Sequence, residues 1–187
     1  SMIFTSADAT TELPCYGDAA GREGFGGYAA GAVNEYFCSP WPADWQSDSR
    51  GNYHRDSFTG KVGGVTRHEK VSSAIQEAAC IAASILLYAR RSGNRRIRVH
   101  TDSMSAFLAF RRGRSSSCGI DRVIRLTQIQ CARWDIVVLV AWQPRGQVDQ
   151  QIADGLSRQD PALLQARYPQ VDWRRTEIPA LHLAQIL

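Results

Sequence analysis

The sequence has almost no lysine: of its 22 basic residues only Lys61 and Lys70 are lysines, and the rest are arginines. It has no apolar run long enough to cross a bilayer, and its amino terminus lacks the basic, apolar and small-residue regions of a secretory signal. These absences speak against secretion and membrane anchoring, so an intracellular location, cytoplasmic or nuclear, is expected. Five cysteines, Cys15, Cys38, Cys80, Cys118 and Cys131, are scattered and odd in number, with no Cys-x-x-Cys pair. That excludes a zinc ribbon or dithiol redox motif and predicts reduced thiols, with Cys15 and Cys80 as small core residues. No lysine, histidine or cysteine stands out as a general base, and no internal repeat is visible.

What is present begins with size and charge. A chain of 187 residues suits one domain with a sizeable core. Residues 1–12 read as an extension or tag remnant, 13–160 as the principal domain, and 161–187, broken by Pro161, Pro169 and Pro179, as an accessory helix or linker. The net charge of +4 is modest, but guanidinium forks suit phosphate oxygens. They cluster at Arg90-Arg91 with Arg95-Arg96-Arg98, at Arg111-Arg112-Gly113-Arg114, and at Arg174-Arg175.

Periodicity supplies a coarse outline. Leu13 to Val33 reads as strand, glycine turn, strand. Val33 to His68, rich in Trp, Pro, Asp, Ser and Gly, reads as a long loop with a short strand near Tyr53 to Val62. Ile75, Ala79, Ala82, Leu86 and Ala89 then step along one helical face, with Ser72 or Ser73 as the cap. A strand Ile97–Thr101 follows, then a short helix from Ser103 to Phe110, a basic serine-rich loop from Arg111 to Ser117, and a helix from Gly119 to Ala132. The run Ile136 to Trp142 has the continuous apolar character of a strand in the buried middle of a sheet, and a helix from Asp149 to Ser157 comes after it.

Four acids arrive from separate elements of this outline. Asp18 ends the first strand, Glu77 is the only charge in the long apolar helix, Asp102 ends the strand 97–101, and Asp154 lies on the last of these helices. An ionised Glu77 among apolar faces is costly without compensation, and a bound cation supplies it. Mg²⁺ prefers oxygen ligands and is held by few carboxylates plus substrate phosphates, so four acids suit two ions. Two ions about 4 Å apart activate a water on one side of a phosphodiester and stabilise the leaving oxygen on the other.

The motifs around these acids resemble the ribonuclease H domain of retroelements, found downstream of reverse transcriptase in gypsy-like and DIRS-like polyproteins. The matching pieces are Gly17-Asp18-Ala19-Ala20 followed by Gly24-Phe25-Gly26-Gly27, Gln76-Glu77-Ala78-Ala79, Thr101-Asp102-Ser103, and Ala153-Asp154-Gly155-Leu156-Ser157-Arg158. The resemblance covers Leu13 to Arg158 apart from the middle insert. It implies an α/β fold, a ribonuclease H-like mixed five-stranded sheet flanked by helices. It also implies hydrolysis of the RNA strand of RNA/DNA hybrids to leave a 3′-hydroxyl and a 5′-phosphate, with two Mg²⁺ (or Mn²⁺) held by Asp18, Glu77, Asp102 and Asp154. A reverse transcriptase domain of the same polyprotein is the implied partner. Arg111, Arg112 and Arg114 lie where related domains contact hybrid backbone, and Ser103, Gln76 and Gly21 are the candidates for reading the 2′-hydroxyl.

The sequence departs from this pattern in places. The loop Gln143-Pro144-Arg145-Gly146-Gln147-Val148 has no histidine where many cellular enzymes carry one, and Asp149 competes with Asp154 as the last ligand. Asp8 has flanks like those of Asp18 but no Gly-x-Gly-Gly after it, and is set aside. His100, Trp134 and Trp142 read as packing or sheet-edge residues. One rival reading is a catalytically silent module of the same fold beside a polymerase, its site covered by the middle insert. Another is an exonuclease or integrase of the broad fold, but Asp18-Ala19-Ala20 lacks the Asp-x-Glu of the former, and Asp154 stands where the latter has a glutamate.

Overall fold

The computed structural model describes residues 12–31, 33–53, 58–91 and 96–187, and Asp8, His54 and Arg95 lie outside them. The main sheet is built from β1 (Leu13–Ala20), β2 (Gly24–Ala29), β3 (Glu35–Pro40), β6 (Arg96–Thr101), β7 (Val137–Trp142) and β8 (Arg174–Arg175), in the order β7-β6-β1-β2-β3-β8. β1, β2 and β3 form an antiparallel meander; β6 runs parallel to β1, β7 parallel to β6, and β8 parallel to β3. The sheet is therefore mixed and six-stranded, not five-stranded. The sixth strand is two exposed arginines joined to Glu35 and Tyr36 through backbone, which leaves no apolar pattern to read.

Helices cover both faces. On one, α1 (Ser73–Tyr88) packs on β1, β2 and β6, with α2 (Met104–Arg112) and α3 (Cys118–Trp134) beside it. On the other, α4 (Val148–Ser157) packs on β1, β2 and β3, followed by α5 (Ala162–Arg167). Alternation along β1 shows both layers: Leu13 and Cys15 belong to the α1-side core, whereas Tyr16 packs with Tyr28, Ile152 and Leu156 on the α4 side. α1 starts where Ser72 accepts from the Ile75 N–H (3.3 Å) and is buried on nearly every face from Ile75 to Tyr88, as its composition predicts.

Two expectations are corrected and a third is made definite. The apolar run of β7 does not sit mid-sheet but forms an edge; α2 packs on it, and Val138 and Val140 join the main core while Val137, Leu139 and Ala141 are only partly buried. The segment 33–68 holds β3 and a 3-10 turn at Ala43–Trp45 in place of the expected long loop, while the expected short strand near Tyr53 to Val62 is β4 (Phe58–Val62), which forms a hairpin with β5 (Val65–Glu69). β3 escapes period-2 reading because residues on both of its faces, among them Phe37 and Cys38, are buried. Of the two readings of residues 161–187, accessory helix and linker, the first describes them: Ile178 and Ile186 join the main core, α6 (Ala180–Ile186) packs on α1 and α3, and Arg174 pairs with the buried Glu35.

One close approach positions the later site. A Cβ on Gly26 would stand 2.5 Å from the backbone carbon and 2.6 Å from the backbone oxygen of Leu156, so α4 rests directly on β2. Backbone cannot rotate away as a side chain can. Gly26→Ala should therefore destabilise the protein by about 1–3 kcal/mol or more through overpacking, read as a lower urea midpoint. An unchanged midpoint would show that α4 does not need this contact.

Candidate metal centre

Strand register brings the first two acids together. β1 and β6 are parallel with Tyr16 opposite His100, and their rings stack at 4.6 Å. Two residues further on, where side chains return to the same face, stand Asp18 and Asp102. Glu77, in the second turn of α1, completes a group in which one ligand atom from each of Asp18, Glu77 and Asp102 lies within 4.8 Å of the others. Asp18 and Glu77 are buried, and the Asp102 side chain is only 6% exposed. Glu77 thus faces the interior and not solvent.

Asp154 stands at the rim. Its carboxylate is close enough to Asp18 to raise the latter's proton affinity, but its side chain is 48% exposed and pairs with Arg158 at 3.4 Å one helical turn on. Asp149 points elsewhere: the Tyr28 hydroxyl donates to it, within the aromatic group of Tyr16, Tyr28 and His100. Five residues on a helix turn the side chain by about 140°, so Asp149 and Asp154 cannot serve one site, and Asp154 is the one beside Asp18.

The acids raise one another's proton affinity. Burial, reinforced by the charge of Asp102, pushes Asp18 from 3.8 up to about 7. Burial, with Asp18 and Asp102 beside it, pushes Glu77 well above the usual carboxylate range, although a backbone hydrogen bond from Ala19 works the other way. Asp18 and Glu77 are also hydrogen-bonded to each other, as two crowded carboxyls are when they share a proton. An all-oxygen, closely spaced donor set of this kind can hold a hard divalent cation such as Mg²⁺ or Mn²⁺.

Arg145, which the sequence does not single out, reaches this group. Its Nε donates to Asp102 Oδ2 at 2.8 Å, although the side chain is 86% exposed. It belongs to the loop noted for lacking histidine, and 43 residues of separation from Asp102 leave no local signal of the pairing. Trp142 is a sheet-edge residue, as expected, and its indole donates to the Asp102 carbonyl at 3.2 Å. His100 is packed against Tyr16, and burial lowers it to about 4.

The expected substrate contacts divide. Gln76 is fully buried and its amide is engaged by protein: it donates to Gly21 O (3.1 Å) and Trp45 O (2.7 Å) and accepts from the Tyr53 hydroxyl (2.8 Å). It is a clamp that ties the β1–β2 turn to the 3-10 turn, not a free donor. Gly21 is part of that clamp, and a Cβ there would meet Ser47 Oγ at 2.8 Å. Ser103 caps α2 by accepting from the Ala106 N–H and stands next to Asp102. Arg111 and Arg112 form the last turn of α2 rather than a loop, Gly113 closes the helix at φ 72°, and Arg114 follows, all three arginines exposed. Within the middle insert the β4–β5 hairpin packs on α3, whereas Trp45, Ser47 and Tyr53 gather around Gln76 and Gly21, next to Glu77.

Between pH values of about 4 and about 7, the folded, metal-free protein keeps a proton on Asp18 that the unfolded chain has lost. Stability must therefore fall as pH rises through that window, and Mg²⁺ should offset the fall. Thermal unfolding in EDTA should give a lower midpoint at neutral pH than at mildly acidic pH, with Mg²⁺ closing the gap; a flat EDTA profile would contradict the clustering. Arg145→Ala should strengthen Mn²⁺ binding by no more than about fivefold, because an ion pair this exposed is worth about 1 kcal/mol at most. Calorimetric titration checks it, and weaker binding would mean that Arg145 supports the site. No protein-family profile matches this chain, and no curated protein shows significant similarity to it.

Proposed function

We propose that the chain is a metal-dependent ribonuclease H domain of the retroelement type, which hydrolyses the RNA strand of RNA/DNA hybrids beside a reverse transcriptase inside the cell. The observation that carries this reading is the convergence of Asp18, Glu77 and Asp102, from β1, α1 and β6, to within 4.8 Å. The strand directions support it: leaving β8 aside, an antiparallel meander with two parallel strands added beside β1 makes a mixed five-stranded sheet with helices on both faces. In this reading Asp18, Glu77, Asp102 and Asp154 hold two Mg²⁺, or Mn²⁺.

When bound, the ions supply an activated water and stabilise the leaving 3′-oxygen. The protein's own contributions are separable from that chemistry. Glu77 and Asp18 give up their shared proton on loading. Asp102 would hold a cation in place of the Arg145 guanidinium, and Arg145 would then be free to meet a phosphate oxygen. Ser103, fixed by its capping hydrogen bond at the end of β6, presents a hydroxyl beside the reacting strand. Gln76 keeps the β1–β2 turn in place behind Asp18.

The Arg145–Asp102 pair is also the observation that favours the rival reading, a silent module whose acid cluster is neutralised by its own arginine. One experiment separates the two. With Mg²⁺ or Mn²⁺, the fragment should cut the RNA strand of an end-labelled hybrid and leave RNA-only and DNA-only duplexes intact. Asp102→Asn should reduce cutting to the no-enzyme level. Hybrid binding without cutting, unchanged by Asp102→Asn, would support the silent module.

A further inference from the structure

The arginine clusters are not equivalent. Arg90 lies over the Trp134 ring, Arg91 and Arg174 pair with Glu35, Arg98 pairs with Glu12, and Arg175 pairs with Glu177, so these members of the first and last clusters are already engaged by the protein. The middle cluster faces solvent across a cleft of about 650 Å³, whose walls are Arg112, Arg114, Ser115 and Ser116 on one side and the hairpin residues Val62 and Gly63 on the other. A smaller hollow of about 350 Å³, lined by Lys61 and Arg122, opens beneath the same hairpin. Lys61, Arg112, Arg114 and Arg122 are exposed, and no carboxylate pairs with them among the described residues. The one acid lining either space, Asp121, accepts from the Ser115 N–H (3.0 Å) and from Arg125 (2.6 Å), so its charge is already answered.

The hairpin is fixed in place. Glu69, at the end of β5, accepts from Ser117 Oγ (2.6 Å) and from the Gly119 N–H at the start of α3, and a Cβ on Gly60 would touch Cys118 at 3.1 Å. The two-residue Gly63-Gly64 turn, with φ of 58° and 79°, is the tight kind that holds strand register. The walls of the cleft are thus set before any ligand arrives. α2 spans nine residues from beside Asp102 to Arg112, which at 1.5 Å per residue puts the cleft roughly 14 Å from the acids. Measured along the axis of a duplex, that is about four base-pair steps.

We propose that the β4–β5 hairpin and the α2–α3 connection together form a second nucleic-acid site, which grips the phosphodiester backbone of a duplex while the acid cluster engages it about 14 Å away. The inference rests on the proposed function for the identity of that duplex. Its own content is the hairpin: Lys61 acts with Arg122 and the α2–α3 arginines as one binding surface, and gives affinity without sequence preference.

The test is fluorescence anisotropy with a labelled RNA/DNA hybrid, the full chain carrying Asp102→Asn to prevent cutting, over a range of salt concentrations. Adding Lys61→Ala with Arg122→Ala should weaken binding on the order of tenfold or more and lower the slope of log affinity against log salt by about 2. Lys61→Arg with Arg122→Lys should restore the slope, and Arg133→Ala, at the far end of α3, should leave it unchanged. A slope unaltered in a double-alanine protein that melts normally would overturn the site, as would tighter cleft-dependent binding of a polyglutamate peptide than of hybrid. If the unmodified chain cuts hybrid but the alanine pair changes nothing, the cleft alone is wrong. If hybrid binding depends on the cleft and the unmodified chain never cuts, the cleft stands and the nuclease reading falls.

Discussion

Three carboxylates pressed together in a buried corner constrain the rest of this structure. Like charges at such a spacing cannot all ionise without compensation, and an uncompensated ion in that setting costs several kcal/mol. The protein meets this demand by sharing a proton between Asp18 and Glu77 and by bringing the Arg145 guanidinium to Asp102. Neither device is a permanent fill. In the proposed reading the proton would leave as a cation binds, and an arginine that is 86% exposed can swing into solvent. The acid cluster could therefore hold a metal ion.

Precise placement of the acids comes from features with no chemistry of their own. Parallel pairing of β1 with β6 fixes Asp18 beside Asp102, because Tyr16 and His100 are in register one period earlier. Gly26 lets the backbone of α4 come down on β2, which brings Asp154 to the rim. The buried Gln76 amide ties the turn after Asp18 to the 3-10 turn of the middle segment. These contacts explain why a sheet, a helix on each face and a glycine-rich strand are all needed for one small acidic corner.

Glu77 was legible in the sequence because a charge in an apolar helix contradicts its surroundings, and Asp18, Asp102 and Asp154 through the motifs around them. The long helix and most of the strands were legible for the reason that their periods repeat over enough residues. β3 and β8 were not, since one is buried on both faces and the other is two exposed arginines with no apolar pattern. The roles of Gln76, Arg145 and the hairpin depend on contacts between residues far apart in the chain, for which composition carries no signal. The arginine clusters show the same limit. Their chemistry is alike in sequence, and only their neighbours separate the two that hold the tail and the end of α1 from the one left facing solvent.

The most direct test of the central claim is anomalous diffraction at the manganese edge from crystals of the chain grown or soaked with Mn²⁺. The account predicts two peaks about 4 Å apart among Asp18, Glu77, Asp102 and Asp154, with Arg145 withdrawn from Asp102. Absence of manganese at saturating concentration, with Arg145 still paired to Asp102, would contradict it.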